Sequence, residues 1–270
     1  MRDPAATDAD VPAGPMLASW QLSGLTVLAV LGVWWLVTWA AVIPPLYLPG
    51  PRAVFGKLVE VSREGYMDAT LWQHCEASFL RVLLALLLAL ATAIPLGLAL
   101  GLNRILRAMV DPLIEFYRPI PPLAYLPLIV IWFGIGEVSK ILLIYLAIFA
   151  PIVLATTAGV MAVDPIRIRV AQSLGATRLQ LVRFVILPSA LPTIMTGIRI
   201  ALGAGWSTLV AAELIAATRG LGFMIQSASQ FLVTDLVVAG ILVVALVALV
   251  FEIVLRRLQQ RFSPWLGRMS

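Results

Sequence analysis

The chain of 270 residues is 61% hydrophobic and only 12% charged, with a formal net charge of +5 and a mean hydropathy of +1.00. Soluble domains run near half apolar and about a quarter charged, so this balance excludes a water-soluble enzyme, a nucleic-acid binder and a disordered chain. One cysteine, Cys75, and one histidine, His74, exclude an intramolecular disulfide framework and the usual multi-histidine metal sites.

Residues 1–19 are polar, lack a basic leader and read as a cytoplasmic N-terminal tail. The apolar run at 20–43 is too long for a signal-peptide core and is expected to stay as the first span. Runs at 77–101, 138–161, 194–217 and 236–256 each reach the roughly 20 residues that cross about 30 Å of hydrocarbon. The segment 113–133 is less regular, because it carries Pro119, Pro121, Pro122 and Pro127. Proline frees backbone carbonyls, which membrane depth tolerates only beside protein or water. An unwound third span next to a pathway is therefore expected there. Residues 257–270 read as a basic cytoplasmic C-terminal tail. The fold class that follows is all-α: a polytopic membrane protein of about six spans in one domain, 20–256, with both termini cytoplasmic.

Basic residues support that count. With six spans, the inner side receives twelve of the nineteen Lys and Arg, among them Arg104, Arg107, Arg118, Arg167, Arg169, Arg178 and Arg183. The outer side receives Arg52, Lys57, Arg63, Lys140 and Arg219. If 113–133 did not cross, the basic groups of 164–192 would lie outside and reverse the bias.

Charges inside the spans are costly, about 2.5–3.5 kcal/mol on insertion scales, so each needs a reason. Glu213 is the one candidate for a proton or cation relay, set against an interfacial carboxylate paired with arginine or backbone amides. Arg81 and Arg199 are expected to snorkel toward the interfaces. No G-x-x-x-x-G-K-[ST] loop is present, and Gly56-Lys57 lacks its spacing. Serines are few, and a lone histidine gives no Ser-His-Asp set. No catalytic residue and no metal ligand set is expected.

The longest inner loop, 162–192, carries the most information. Asp164-Pro165 is a helix start, and Ile166, Val170 and Leu174 form an apolar stripe. Gly175 suits the left-handed residue that ends a helix. Thr177 and Gln180 form a capping box for a second helix, expected to stop before Pro188. Such an elbow suits either a basic surface on anionic lipid or a docking knob for a cytoplasmic partner.

This loop resembles the signature of the membrane subunits of binding-protein-dependent ABC importers: Glu-Ala-Ala, three residues, Gly, nine residues, Ile-x-Leu-Pro. The matching positions are Arg169, Val170 and Ala171, then Gly175, then Val185, Leu187 and Pro188. Arg169 and Val170 depart from the Glu-Ala pair. Phe116–Leu128 and Ile131–Glu137 resemble the nitrate/sulfonate/taurine branch of that family, and Met67–His74 and Gly205–Phe223 its taurine-transporting members.

The resemblance implies a type I importer permease in the bacterial inner membrane, non-catalytic in itself. It implies a cytoplasmic ABC ATPase as partner, a periplasmic binding protein, a second copy of the chain around a central pathway, and no nucleic acid. No cofactor is expected, since ATP is bound by the partner, and the cargo is a small sulfonate such as taurine. The ATPase-coupling residues it implies are Arg169, Ala171, Gln172, Leu174, Gly175, Ala176, Leu187 and Pro188, with Ala171 and Leu174 supplying apolar contact. Gly197, Ala201 and Gly205 repeat at four-residue spacing, with Ala204, Thr208 and Ala212 on a neighbouring face. Either helix packing or a pathway face accounts for them. Gly205, Trp206, Thr208 and Glu213 are the pathway candidates. Competing readings are a secondary transporter driven by an ion gradient, a membrane-embedded enzyme, and an ABC permease for alkanesulfonate, nitrate or bicarbonate.

Overall fold

The computed structural model describes residues 19–262. The N-terminal tail reading, up to residue 18, lies outside the described residues, as does the C-terminal tail beyond Phe262. The chain opens with α1 (Ser19–Trp39), an amphipathic α2 (Pro51–Glu64), α3 (Leu71–Leu102) and α4 (Arg104–Tyr117). A 3-10 turn, Pro122–Tyr125, leads into α5 (Leu126–Phe133) and then α6 (Glu137–Met161). Two short helices follow, α7 (Pro165–Ser173) and α8 (Arg178–Leu181). The long α9 (Leu187–Ala216), α10 (Leu221–Gln230) and α11 (Thr234–Phe262) complete it.

Local chemistry sets the boundaries. Thr70 and Gln73 close a capping box at the start of α3, Gln73 N–H donating to Thr70 Oγ1 at 3.3 Å and Thr70 N–H to Gln73 Oε1 at 2.9 Å. Asn103 ends α3 and starts α4, its Oδ1 accepting from the amides of Ile105 and Leu106. Both prolines Pro122 and Pro127 fall in the first turn of a helix, where a missing N–H costs nothing.

The core is built around α6, which is buried between α3 and α9. Small residues let these helices touch. A Cβ on Gly97 would lie 2.5 Å from Thr156 Cβ, and one on Gly197 only 2.0 Å from Ala155 Cβ. Pairs Arg81–Glu137 and Gly101–Val160 rise together in number, so α3 runs parallel to α6. Pairs Gly197–Ala155 and Gly205–Ile148 run in opposite order, so α9 is antiparallel. The end bearing α7 and α8 is termed inner, and the opposite end outer.

Four described helical stretches are long and apolar enough to cross a membrane: Leu71–Leu102, Glu137–Met161, Arg178–Leu214 and Thr234–Arg261. A fifth crossing comes from α4 with Pro122–Phe133 if that pair is one span, though the two parts are bent by 87°. In α1, the apolar stretch Gly24–Trp39 is shorter, and most of its side chains face outward. Trp34 ties it down, donating its indole N–H to Pro49 O at 3.1 Å.

The structure departs from the sequence reading in three places. Pro188 does not stop a helix. A π turn, Val182–Ile186, joins α8 to α9, and Leu187 N–H bonds back to Val182 O. The widened turn makes room for a proline ring that would clash in a regular α-helix. Arg81 and Arg199 do not snorkel, because each meets a carboxylate within the protein. Arg118 does not lie at the inner surface: its neighbour Tyr117 donates a hydrogen bond to Leu146 O, well along α6. Taking Arg118 out of the expected inner group leaves the expected charge bias with the same sign.

Candidate functional site

At the inner end, α7 and α8 form an elbow. Asp164 caps α7 by accepting from Ile166 N–H at 2.8 Å. The helix closes on Gly175, whose φ is +81°. Ala176 N–H returns to Ala171 O at 3.1 Å and Gly175 N–H to Gln172 O at 2.9 Å. That pair of bonds is the Schellman ending, which needs a residue free to adopt positive φ. Thr177 and Gln180 then close the second capping box.

The elbow presents an unpaired apolar stripe. Ile166, Val170 and Leu174 are 63%, 55% and 84% exposed, and with Arg169 and Ser173 they line a shallow depression of about 490 Å³. Leu179 and Phe184 are exposed beside it, with the Arg183 guanidinium 5.7 Å from the Phe184 ring. Of the expected contact residues, Leu174 points outward with exposed Arg169 and Gln172, but Ala171 is packed inward on the chain's own core. Ala176 is half-buried, and Leu187 and Pro188 belong to the start of α9.

At the outer end, charges meet in the interior. Glu213 on α9 is fully buried. It accepts from Arg81 Nη1 at 2.5 Å, from Ser78 Oγ at 2.8 Å and from Gly222 N–H at 2.7 Å. Arg81, itself 4% exposed, also donates to both oxygens of Glu137 and to Arg219 O. Lys140 adds a third cationic contact to Glu137 at 2.9 Å. One cluster thus joins α3, α6, α9 and the turn into α10. This is the paired-carboxylate alternative for Glu213, and every oxygen has a donor, as burial of an ion pair requires.

Two glycines admit the carboxylate. A Cβ on Gly220, whose φ is +138°, would lie 2.4 Å from Glu213 Cδ, and one on Gly222 would lie 2.8 Å from Val210 O. His74 braces the same turn: its Nδ1 accepts from Gly220 N–H at 3.1 Å, so Nε2 carries the proton and donates to Tyr66 O at 3.0 Å. A second pair lies nearer the inner end, where Arg199 donates to Glu252 and to Gln259, half-exposed rather than enclosed.

The remaining candidates on α9 face inward. Gly205 abuts Ile148, Thr208 is 7% exposed, and Trp206, 9% exposed, meets Phe251 edge-on at 6.1 Å. With Glu213 they brace the interior of the single chain. The α9 positions left open include Thr196, Ile200, Gly203, Ala204 and Ser207. Sequence reasoning passed over Ser78 and Gly222 as Glu213 ligands, and Gly220 as the position that makes room for the carboxylate. The signal available was the Gly-x-Gly after the carboxylate, which lets the turn pack against it and the Gly222 amide reach it.

Residues 93–265 match the family described as binding-protein-dependent transport system inner membrane component. The chain is 59% identical over 257 residues to the Escherichia coli (strain K12) taurine transport system permease protein TauC, covering 95% of this chain and 94% of that one. It is 39% identical to the putative aliphatic sulfonates transport permease protein SsuC of the same organism, over 87% and 89% of the two chains. The fold is similar to a bacterial alginate ABC transporter solved with its alginate-bound periplasmic protein, with a TM-score of 0.64, 17% identity and coverage of 90% of this chain and 95% of that one. It is also similar to the inward-facing MetNI methionine ABC transporter, with a TM-score of 0.57, 20% identity and coverage of 67% and 92%. The chain belongs to the binding-protein-dependent transport system inner membrane component family, and is an ABC importer permease of the multi-pass inner-membrane kind.

Proposed function

We propose that this chain is the membrane-spanning subunit of an ATP-driven importer that carries taurine, or a closely related sulfonate, delivered by a periplasmic binding protein. The observation that carries this reading is 59% identity to a taurine permease over nearly the whole of both chains. The sequence is more distant from an aliphatic sulfonate permease, at 39%, and from a cyanobacterial bicarbonate permease, at 33%, which favours taurine.

In this reading the chain catalyses nothing and holds no cofactor, because ATP binds a separate cytoplasmic ATPase. The exposed stripe Ile166, Val170 and Leu174 fills a groove on that ATPase, with Arg169 at its edge. Nucleotide closes the ATPase dimer, and the elbow passes that closure to the spans as rigid-body rotation. Nucleotide binding thereby shifts the populations of inward- and outward-open states. A second copy of the chain completes the pathway, and the open α9 face lines the join, with Thr196, Gly203, Ala204 and Ser207 small enough to let the copies part and Ile200 supplying apolar contact.

The test is uptake of labelled taurine by proteoliposomes holding the permease, its ATPase and its binding protein. Accumulation that needs all three with ATP supports the reading. Accumulation by the permease alone, driven by an ion gradient, would sink it in favour of a secondary transporter. Uptake of nitrate or bicarbonate but not taurine would keep the class and change the cargo.

A further inference from the structure

Between α4 and the Pro122–Phe133 segment the chain breaks through 87°. The depth of that break follows from two contacts. At the inner end of α4, Arg107 Nη1 lies 2.7 Å from Met161 Sδ, the last residue of α6. At the other end, Tyr117 donates to Leu146 O. Leu146 is nine residues past Glu137 and fifteen before Met161, or about 14 Å and 22 Å from the two ends at 1.5 Å per residue. The break therefore sits far from either surface of a hydrocarbon layer about 30 Å thick.

Arg118 is at this break, and its side chain is exposed. That side chain makes no hydrogen bond or ion pair among the described residues, and neither does the side chain of Glu115. A bare cation at this depth cannot face lipid, since even insertion scales charge about 2.5–3.5 kcal/mol for it. Nor can the turn Arg118–Pro121, whose non-helical backbone is tolerated at depth only against protein or water. Arg118 also continues a row. Arg107, Asp111, Glu115 and Arg118 follow spacings of four, four and three along α4, which keeps them on one face. The first three line a cavity of about 540 Å³ against α6, with Thr157 and Met161 opposite. Beside the break, the Tyr125 hydroxyl is buried without a hydrogen-bond partner, its ring stacked on Tyr117 at 5.8 Å.

We propose that Arg118 receives the anionic end of the substrate in the translocation pathway, with Glu115 one turn below taking the cationic end. This rests on the chain being a permease for a small zwitterionic sulfonate. A guanidinium suits a sulfonate because both offer several hydrogen bonds in one fork. Residues three apart on a helix lie about 5–6 Å apart at Cβ, a separation suited to a molecule with two carbons between its charges. Asp111 and Arg107 continue the row of charges toward the inner end, so groups of both signs line the way as the cargo descends. Unpaired in the resting chain, the two groups need no ion pair broken before they bind.

The decisive comparison uses the whole transporter, permease with ATPase and binding protein, in proteoliposomes. Among complexes that retain the ATPase, Arg118→Gln should lower taurine uptake at least tenfold, and Arg118→Lys, which keeps the charge but not the fork, should lose clearly less than Arg118→Gln. Uptake by Arg118→Gln within twofold of the unaltered transporter overturns the assignment. So does equal loss in the Gln and Lys variants, which marks a packing role. A second measurement reads the placement without import: Arg118→Cys, in a Cys75→Ser background, should react with a membrane-impermeant sulfonate-bearing thiol reagent in the assembled complex, whatever the cargo, and taurine should slow that reaction if taurine is carried. No reaction there overturns the placement on a water-filled path. Failure of the unaltered transporter to import taurine counts against the proposed cargo, while the labelling result still decides Arg118.

Discussion

Arg81 and Glu213, 132 positions apart in sequence, meet at 2.5 Å in the interior of the outer half, with Ser78 and the Gly222 amide completing the carboxylate's shell. Removing one partner of a buried pair leaves an uncompensated charge, which costs about 3–5 kcal/mol. Arg81→Met is expected to destabilise the purified protein by about that much, and the double variant Arg81→Met/Glu213→Leu by clearly less. Thermal unfolding in detergent reads both. Arg199→Met at the half-exposed Arg199–Glu252 pair should cost less than Arg81→Met, since water screens it.

Contact between α6 and α9 depends on the absence of a side chain. A Cβ on Gly197 would sit 2.0 Å from Ala155 Cβ, whereas one on Gly203 meets nothing within 4 Å. Gly197→Ala is expected to destabilise by about 1–3 kcal/mol through overpacking. Gly203→Ala should be neutral or slightly stabilising, by up to about 1 kcal/mol, from helix propensity. A lowered unfolding midpoint for Gly197→Ala and an unchanged or raised one for Gly203→Ala are the expected outcome.

Gly175 differs from both, because space around it is open and only its φ of +81° restricts substitution. A β-branched residue is strained there, while asparagine tolerates the left-handed region. Gly175→Val should abolish coupled uptake with membrane insertion intact, and Gly175→Asn should retain most of it. Uptake normalised to membrane-inserted protein separates the two.

Leu174 is 84% exposed at the tip of the elbow. If it fills a groove on the ATPase, Leu174→Asp should reduce co-purification of that subunit at least tenfold, since a carboxylate in an apolar pocket is left unpaired. Ala171→Ser, on the inward side of the same helix, should leave co-purification within about twofold.

What was legible in the sequence was what local chemistry decides. Asp164, Thr177 and Gln180 announce their caps, Gly175 its turn, and the apolar runs their helices, because each signal lies within a few residues of its effect. The Arg81–Glu213 partnership was not legible, since nothing in either neighbourhood names a partner so distant in the chain. Arg118 was misplaced for a related reason. Counting charges between apolar runs assigns any arginine beside a weak run to a surface, and only the Tyr117–Leu146 bond reveals its depth. The π turn was hidden because Pro188 reads as a stop unless the wider turn before it is known.

That wider turn has a mechanical corollary. The π turn keeps Arg178–Leu214 one continuous helical stretch, roughly 55 Å long at 1.5 Å per residue, and a tilt of about 5° at its foot would carry its head several ångströms. The far tip bears the Glu213 carboxylate, so a tug on the elbow arrives at the clasp holding α3, α6 and α10. An engine below could thus loosen the extracellular mouth without any message relayed from one side chain to the next.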